Sequence, residues 1–205
     1  MKWEAGDAVA IQLLAPLSGG YVPWTTWSLK PEALLHIVNQ IVLGGLSTVV
    51  ECGSGASTLY LARLMRQVGG RIASVEHDER WFHIVSRAVD DEGLTECCTV
   101  VHAPLEDGWY ARESVADLRR ETIDCLVVDG PPAGEPGHHD ARYPAGPFFA
   151  EALSPRALVM IDDIDREGER AVMDRWRADL GFDFTVYEHI SLAIGSRPDA
   201  APLHV

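Results

Sequence analysis

The sequence predicts an α/β protein: seven strands in a mostly parallel sheet, helices on both faces, and an antiparallel pair at the end of the chain. Three observations carry this. Short Val/Ile/Leu-rich runs alternate with helical stretches, the pattern of strands buried on both faces and joined by helical crossovers. The 205 residues are 47% hydrophobic and 23% charged, proportions that suit a globular chain with a sizeable core. No repeat or low-complexity tract breaks the alternation, so 1–205 reads as one domain, with a cap segment and helix over 1–45 and the sheet core over 46–195.

The parallel strands are expected at 47–51, 71–76, 99–102, 123–129 and 157–161, each a short apolar run. Helices are expected at 31–42, 57–68, 79–90, 113–120, 148–153 and 167–180. Pro31 suits a helix first turn and Gly44-Gly45 its stop. Segments 183–189 and 191–195 read as the terminal antiparallel pair. Residues 130–147 are rich in Pro, Gly and His, and a loop of that length inside a compact domain is usually functional.

A formal charge of −14 argues against nucleic acid as a partner, because binding phosphates draws on clustered Lys and Arg, and the only lysines here are Lys2 and Lys30. No run approaches the roughly 20 apolar residues of a membrane helix. The N-terminus lacks a basic segment followed by an apolar one, so a cytoplasmic location is expected. The four cysteines show no C-x-x-C spacing, and Cys52 and Cys125 lie in apolar runs, so reduced thiols are expected and a zinc site is not.

The stretch Val49-Val50-Glu51-Cys52-Gly53-Ser54-Gly55-Ala56-Ser57-Thr58 carries the functional signal. A buried strand ends in Glu51, turns through two glycines that let a ligand approach the backbone, and enters a helix. Gly-x-Gly alone is shared by all Rossmann-like dinucleotide folds. Glu51 would repel a pyrophosphate seated on the helix N-terminus, and Thr58 stands where the dinucleotide fingerprint needs its third glycine. A donor carrying a sulfonium and an ammonium fits that carboxylate better, so Glu51 is expected to face the cation. The next strand ends in Glu76, near the offset at which a carboxylate takes ribose hydroxyls, with His77 placed to pack beside a base.

Glu-x-Gly-x-Gly followed by a strand ending in Glu resembles the class I S-adenosylmethionine methyltransferases over about residues 24–195. The resemblance implies a Rossmann-like three-layer sandwich, with Gly53, Gly55 and Ser57 around the methionine part, Glu76 on the ribose, and Ala103 to Leu105 beside the adenine. Apolar strands also deliver Asp129 and the pair Asp162-Asp163 to the same sheet edge. That layout is similar to metal-dependent O-methyltransferases of the catechol and caffeoyl-CoA type, which implies a divalent cation such as Mg²⁺ held by Asp129, Asp162 and Asp163. Successive strand residues point to opposite faces, so Asp162 and Asp163 can share an ion only if the chain turns between them. Pro132 stands where that family has its catalytic lysine, which leaves both the metal and the base open.

The candidate bases are Asp129, through a bound metal, and His138 or His139 in the loop beyond it, since an imidazole titrates near neutrality. Tyr21, Trp24 and Trp27 precede the first expected helix and would either cover a flat acceptor or strap the core, whereas Trp81, Phe82 and Trp176 read as core. The expected activity is methyl transfer to a hydroxyl of a small molecule. An NAD(P)-dependent oxidoreductase and a catalytically silent cofactor-binding protein are the alternatives. Oligomeric state has no signal in the sequence.

Overall fold

The computed structural model describes residues 5–134 and 137–198; residues 1–4 and 199–205, the two ends of the expected domain, lie outside them. In chain order the elements are α1 (Ala5–Leu14), α2 (Pro31–Gly44), β1 (Thr48–Cys52), α3 (Ala56–Val68), β2 (Arg71–Glu76), α4 (Glu79–Asp91) and β3 (Cys98–His102). A small hairpin follows, β4 (Leu105–Glu106) and β5 (Trp109–Tyr110), then α5 (Arg112–Val115), β6 (Ile123–Val128), α6 (Ala145–Phe149), β7 (Leu153–Ile161), α7 (Glu167–Leu180), β8 (Asp183–Tyr187) and β9 (Leu192–Ser196).

Seven strands form one sheet in the order β3-β2-β1-β6-β7-β9-β8. The first five run parallel, and β9 runs antiparallel to both β7 and β8. The chain builds outward from β1 to β3, then returns to the other side of β1 with β6. That reversal leaves a crevice beyond the carboxyl ends of β1 and β6, where open α/β sheets place their ligands. β6 is buried at all six positions, and its alternation divides the core: Cys125 and Val127 pack under α2 and α3, Leu126 and Val128 under α6 and α7.

Two expected elements differ, and one helix was not expected. The helix expected at 148–153 is Ala145–Phe149, and Leu153 already opens β7, where pairing shifts between Ile123↔Leu153 and Cys125↔Leu158. The stretch 113–120 is one α-helical turn followed by a 3₁₀ turn, Ala116–Arg120. α1 was not expected, because Ala, Val, Ile and Leu are spread round it without a single stripe; Val9 and Leu13 face outward while Ala10 and Leu14 are buried.

Candidate active site

A cavity of about 620 Å³ opens at the switch point, lined by the Gly53–Ser57 turn, the end of β2, the ends of β6 and β7, and Thr25–Ser28 from the N-terminal segment. The turn that floors it is packed backbone on backbone. Gly53 has φ +97, and a Cβ there would lie 3.1 Å from the Asp129 carbonyl; a Cβ on Gly130 would lie 2.9 Å from the Gly53 Cα. Glycine is required at both by contact, and at Gly53 by conformation as well.

Glu51 does not face the cavity, which corrects the expectation that it meets the donor's charge. It is fully buried beneath the turn and accepts hydrogen bonds from Ser57 Oγ (2.6 Å), Thr58 Oγ1 (2.5 Å) and Ser74 Oγ (2.6 Å). Burial pushes its pKa up, and the three hydroxyls oppose the rise. Its role is to fix the turn from below, since a strand residue pointing under the loop cannot also point over it. Ser57 lines the cavity, but its hydroxyl is committed to Glu51. Thr58 also accepts from the Gly55 amide (2.9 Å), the Gly53 amide bonds Val75 O, and the Ser54 amide bonds Glu76 Oε2 (3.2 Å). Three consecutive amides of the turn are therefore taken.

Glu76 is nearly buried and lines the cavity. Its Oε1 accepts the amides of His77 and Asp78, both at 2.8 Å, with His77 Nδ1 at 3.0 Å. Its Oε2 holds the longer contacts, to the Ser54 amide and Ser54 Oγ (3.1 Å). His77 lines the cavity beside it. Trp81, read as core from the sequence, packs against the core and also forms part of the wall, donating its indole N–H to Ser54 O (2.7 Å). Ala103 and Leu105 do not line the cavity: Ala103 is buried with its amide on Glu76 O, and Leu105 is exposed in the β4–β5 hairpin. That hairpin sends Tyr110 into the wall instead, and its buried hydroxyl has no hydrogen-bond partner among the described residues.

At the far wall, Asp129, Asp162 and Asp163 come together, one carboxylate oxygen of each lying within 4.8 Å of the others. Parallel pairing does this: the Asp129 amide bonds Cys52 O (2.9 Å) and the Asp162 amide bonds Val128 O (3.1 Å), which sets the strand ends side by side. The chain does turn between Asp162 and Asp163, because Asp163 takes φ 61, a conformation Asp tolerates better than most residues. Between the carboxylates lies Arg142, from the loop after β6, which sequence reasoning passed over. It is 3% exposed, with Nη2 2.9 Å from Asp163 Oδ2 and 3.5 Å from Asp129 Oδ1, and Nη1 3.8 Å from Glu169. Arg166 makes a second contact to Asp163 (2.9 Å). Asp162 Oδ1 is buried without a partner among the described residues. Burial, and then neighbouring Asp163, push Asp162 up to about 7 against the opposing Arg142, and burial with Asp162 raises Asp129 in the same direction. The two titrate as a pair.

His138 and His139 are exposed in the loop and neither lines this cavity. The His139 carbonyl packs on Gly168 at the start of α7, and its side chain borders a separate depression shared with Trp27 and Arg166. The loop runs outward from Asp129 before Arg142 brings it back, so spacing along the chain misled. Trp24 straps the core edge-on against Tyr60, Trp27 stands at the mouth of both depressions, and Tyr21 is exposed away from them.

A family model described as a methyltransferase domain matches residues 50–164, over half of the 205 residues. The chain belongs to the methyltransferase domain family. Among solved structures, a Staphylococcus aureus protein assigned to the caffeoyl-CoA O-methyltransferases superposes with TM-score 0.70 at 10% identity, over 95% of this chain and 100% of that one. A Bacillus cereus O-methyltransferase in complex with S-adenosylhomocysteine gives 0.62 at 16% identity, over 96% of this chain and 93% of the other. A Podospora anserina methyltransferase with the same molecule bound gives 0.61 at 12%, over 96% and 89%. No match was found among curated protein sequences. S-adenosylmethionine as methyl donor goes with membership of this methyltransferase family. No helix among the described residues is long and apolar enough to cross a membrane.

Proposed function

We propose that this methyltransferase moves the methyl group of S-adenosylmethionine to a hydroxyl of a small molecule, and that Asp162, paired with Asp129, takes the hydroxyl proton. The observation that carries the choice of donor is the occupied turn. With the amides of Gly53, Ser54 and Gly55 satisfied internally, a diphosphate would find the turn's own donors occupied, and beside the first amides of α3 it would meet the Glu76 carboxylate. A sulfonium and an ammonium suit a wall that carries Glu76, Asp78, Asp129, Asp162 and Asp163 against Arg80, Arg142 and Arg166. In this reading the ribose hydroxyls compete with Ser54 for Glu76 Oε2, the Trp81 and His77 rings pack on the flat parts of the donor, and Gly53 and Gly55 admit its methionine portion.

Transfer is an in-line displacement. The acceptor oxygen forms a bond to the methyl carbon as the sulfur–carbon bond breaks, and the sulfonium leaves as a neutral thioether. The hydroxyl proton passes to a carboxylate whose pKa near 7 matches proton removal at neutral pH. Of the residues lining the cavity, Tyr110 and Asp162 each carry a buried oxygen, Oη and Oδ1, without a hydrogen-bond partner among the described residues. Holding donor and acceptor in line supplies most of the remaining acceleration. A cytoplasmic setting accords with four cysteines that are all free thiols.

Calorimetric titration tests the donor. Saturable binding of S-adenosylmethionine and S-adenosylhomocysteine is expected, with none for NAD or NADP; the reverse pattern would overturn the reading. Transfer of labelled methyl to a panel of phenols and alcohols then tests the acceptor class. Cofactor binding without transfer to any of them would favour a silent binding protein.

A further inference from the structure

Resting on the reading above, we infer that the Arg142 guanidinium is the resident cation of this active site. It fills the place a divalent metal would need among Asp129, Asp162 and Asp163, so these carboxylates work here with an organic cation instead. The donor set does not fit a metal. Mg²⁺ requires its oxygens at about 2.1 Å with the rest of the shell open to water or further oxygens. Asp163 Oδ2 is already engaged by two guanidinium groups at 2.9 Å, and Asp129 Oδ1 has Arg142 Nη2 at 3.5 Å. An ion bonded to those oxygens would sit against a fixed positive charge.

That charge is fixed because backbone holds it. Arg142 Nε donates to Pro131 O (3.4 Å), Nη1 to Asp162 O (3.1 Å) and Nη2 to Asp129 O (3.1 Å), carbonyls at the ends of β6 and β7. An arginine stays protonated in proteins, so it cannot leave the cluster by losing its charge. The lysine expected beyond the first acid is replaced by Pro132, whose neighbour Pro131 supplies one of those carbonyls. Arg142 is a positioning residue: it aligns the two strand ends, balances Asp163 and Asp129, and leaves Asp162 Oδ1 buried without a partner among the described residues.

The test uses Mn²⁺ as the probe, on chelator-treated protein saturated with S-adenosylhomocysteine and followed by electron paramagnetic resonance. Binding at this cluster is the part of the isotherm that Asp162→Asn removes, which separates it from Glu32, His36 and His189, the other grouping of potential ligands among the described residues. Wild-type protein is expected to show no such component below about 1 mM. Arg142→Met, which empties the cation's place, is expected to gain one at least about tenfold tighter, and Arg142→Lys is not. A micromolar component in wild type, or a folded Arg142→Met that gains nothing, overturns the inference. If Arg142→Met does not fold, the wild-type isotherm decides alone. Failure of the wild type to bind S-adenosylhomocysteine would instead sink the methyltransferase reading and leave the Mn²⁺ result legible.

Discussion

Among the described residues two arginines are buried, Arg63 and Arg142, and they are surrounded differently. Arg63, on α3, meets one carboxylate, Glu92, at 2.5 Å and 2.8 Å, and donates to Leu17 O and Gly20 O. It clamps the N-terminal segment onto α3 and α4 with charge balanced one against one. Arg142 meets Asp129, Asp163 and Glu169, with Asp162 beside them, and only Arg166 shares the load. The first site is closed. The second carries more carboxylates than cations; burial first, and then the neighbouring carboxylates, raise Asp162 and Asp129, and Asp162 keeps an orphaned oxygen. A balanced pair holds structure, whereas strongly shifted acids lining a cleft are candidates for function.

Arg142→Met should break the comparison hardest. It strands several buried carboxylates and is expected to cost about 3–5 kcal/mol of stability, with methyl transfer lost, read by urea unfolding and by labelled-methyl turnover. Arg63→Met is expected to cost about 3 kcal/mol, because two backbone carbonyls and Glu92 lose their donor. Turnover per folded molecule should persist, since Arg63 touches nothing in the cavity. Equal loss of turnover in both variants would erase the distinction.

Asp162→Asn should sharpen it: kcat is expected to fall about a hundredfold while Tm holds or rises. In the wild type, the rate should climb with pH and level off above about 7, where Asp162 is ionised, and that limb should vanish in the variant. The smallest effect concerns pH and stability, where the two sites have opposite signs. Arg63's hydrogen bond is the main cause holding Glu92 below its usual range, so this contact stabilises above the unfolded carboxylate pKa and is lost as pH falls through the folded one. Glu92→Gln should therefore cost about 1–2 kcal/mol at pH 7 and little near pH 3, by urea unfolding at both. Asp162, raised in the fold, stabilises at low pH and loses that contribution as pH rises toward 7. If Asp162→Asn narrows the stability difference between pH 5 and pH 8, the excess charge is where the structure puts it.

Much of this was legible in the residues. Strands β1, β2, β3, β6 and β7, their crossover helices and the antiparallel ending follow from apolar runs of strand length set between helical stretches, because burial on both faces of a parallel sheet leaves that trace. The Glu51-to-Gly55 turn, the acids at the ends of β2, β6 and β7, and the methyltransferase family were in the motif and its spacing. Side-chain direction was not. Whether Glu51 points over the turn or under it depends on which hydroxyls wait beneath, and Ser74 comes from another strand, brought there by parallel pairing. Trp81 became a wall because α4 turns that face toward the switch point. His138 and His139 are near Asp129 in the chain yet do not line the cavity, while Arg142, a little further on, does. A loop's path is set by contacts across the fold, so only tertiary structure could choose among its residues and place a cation amid the acids.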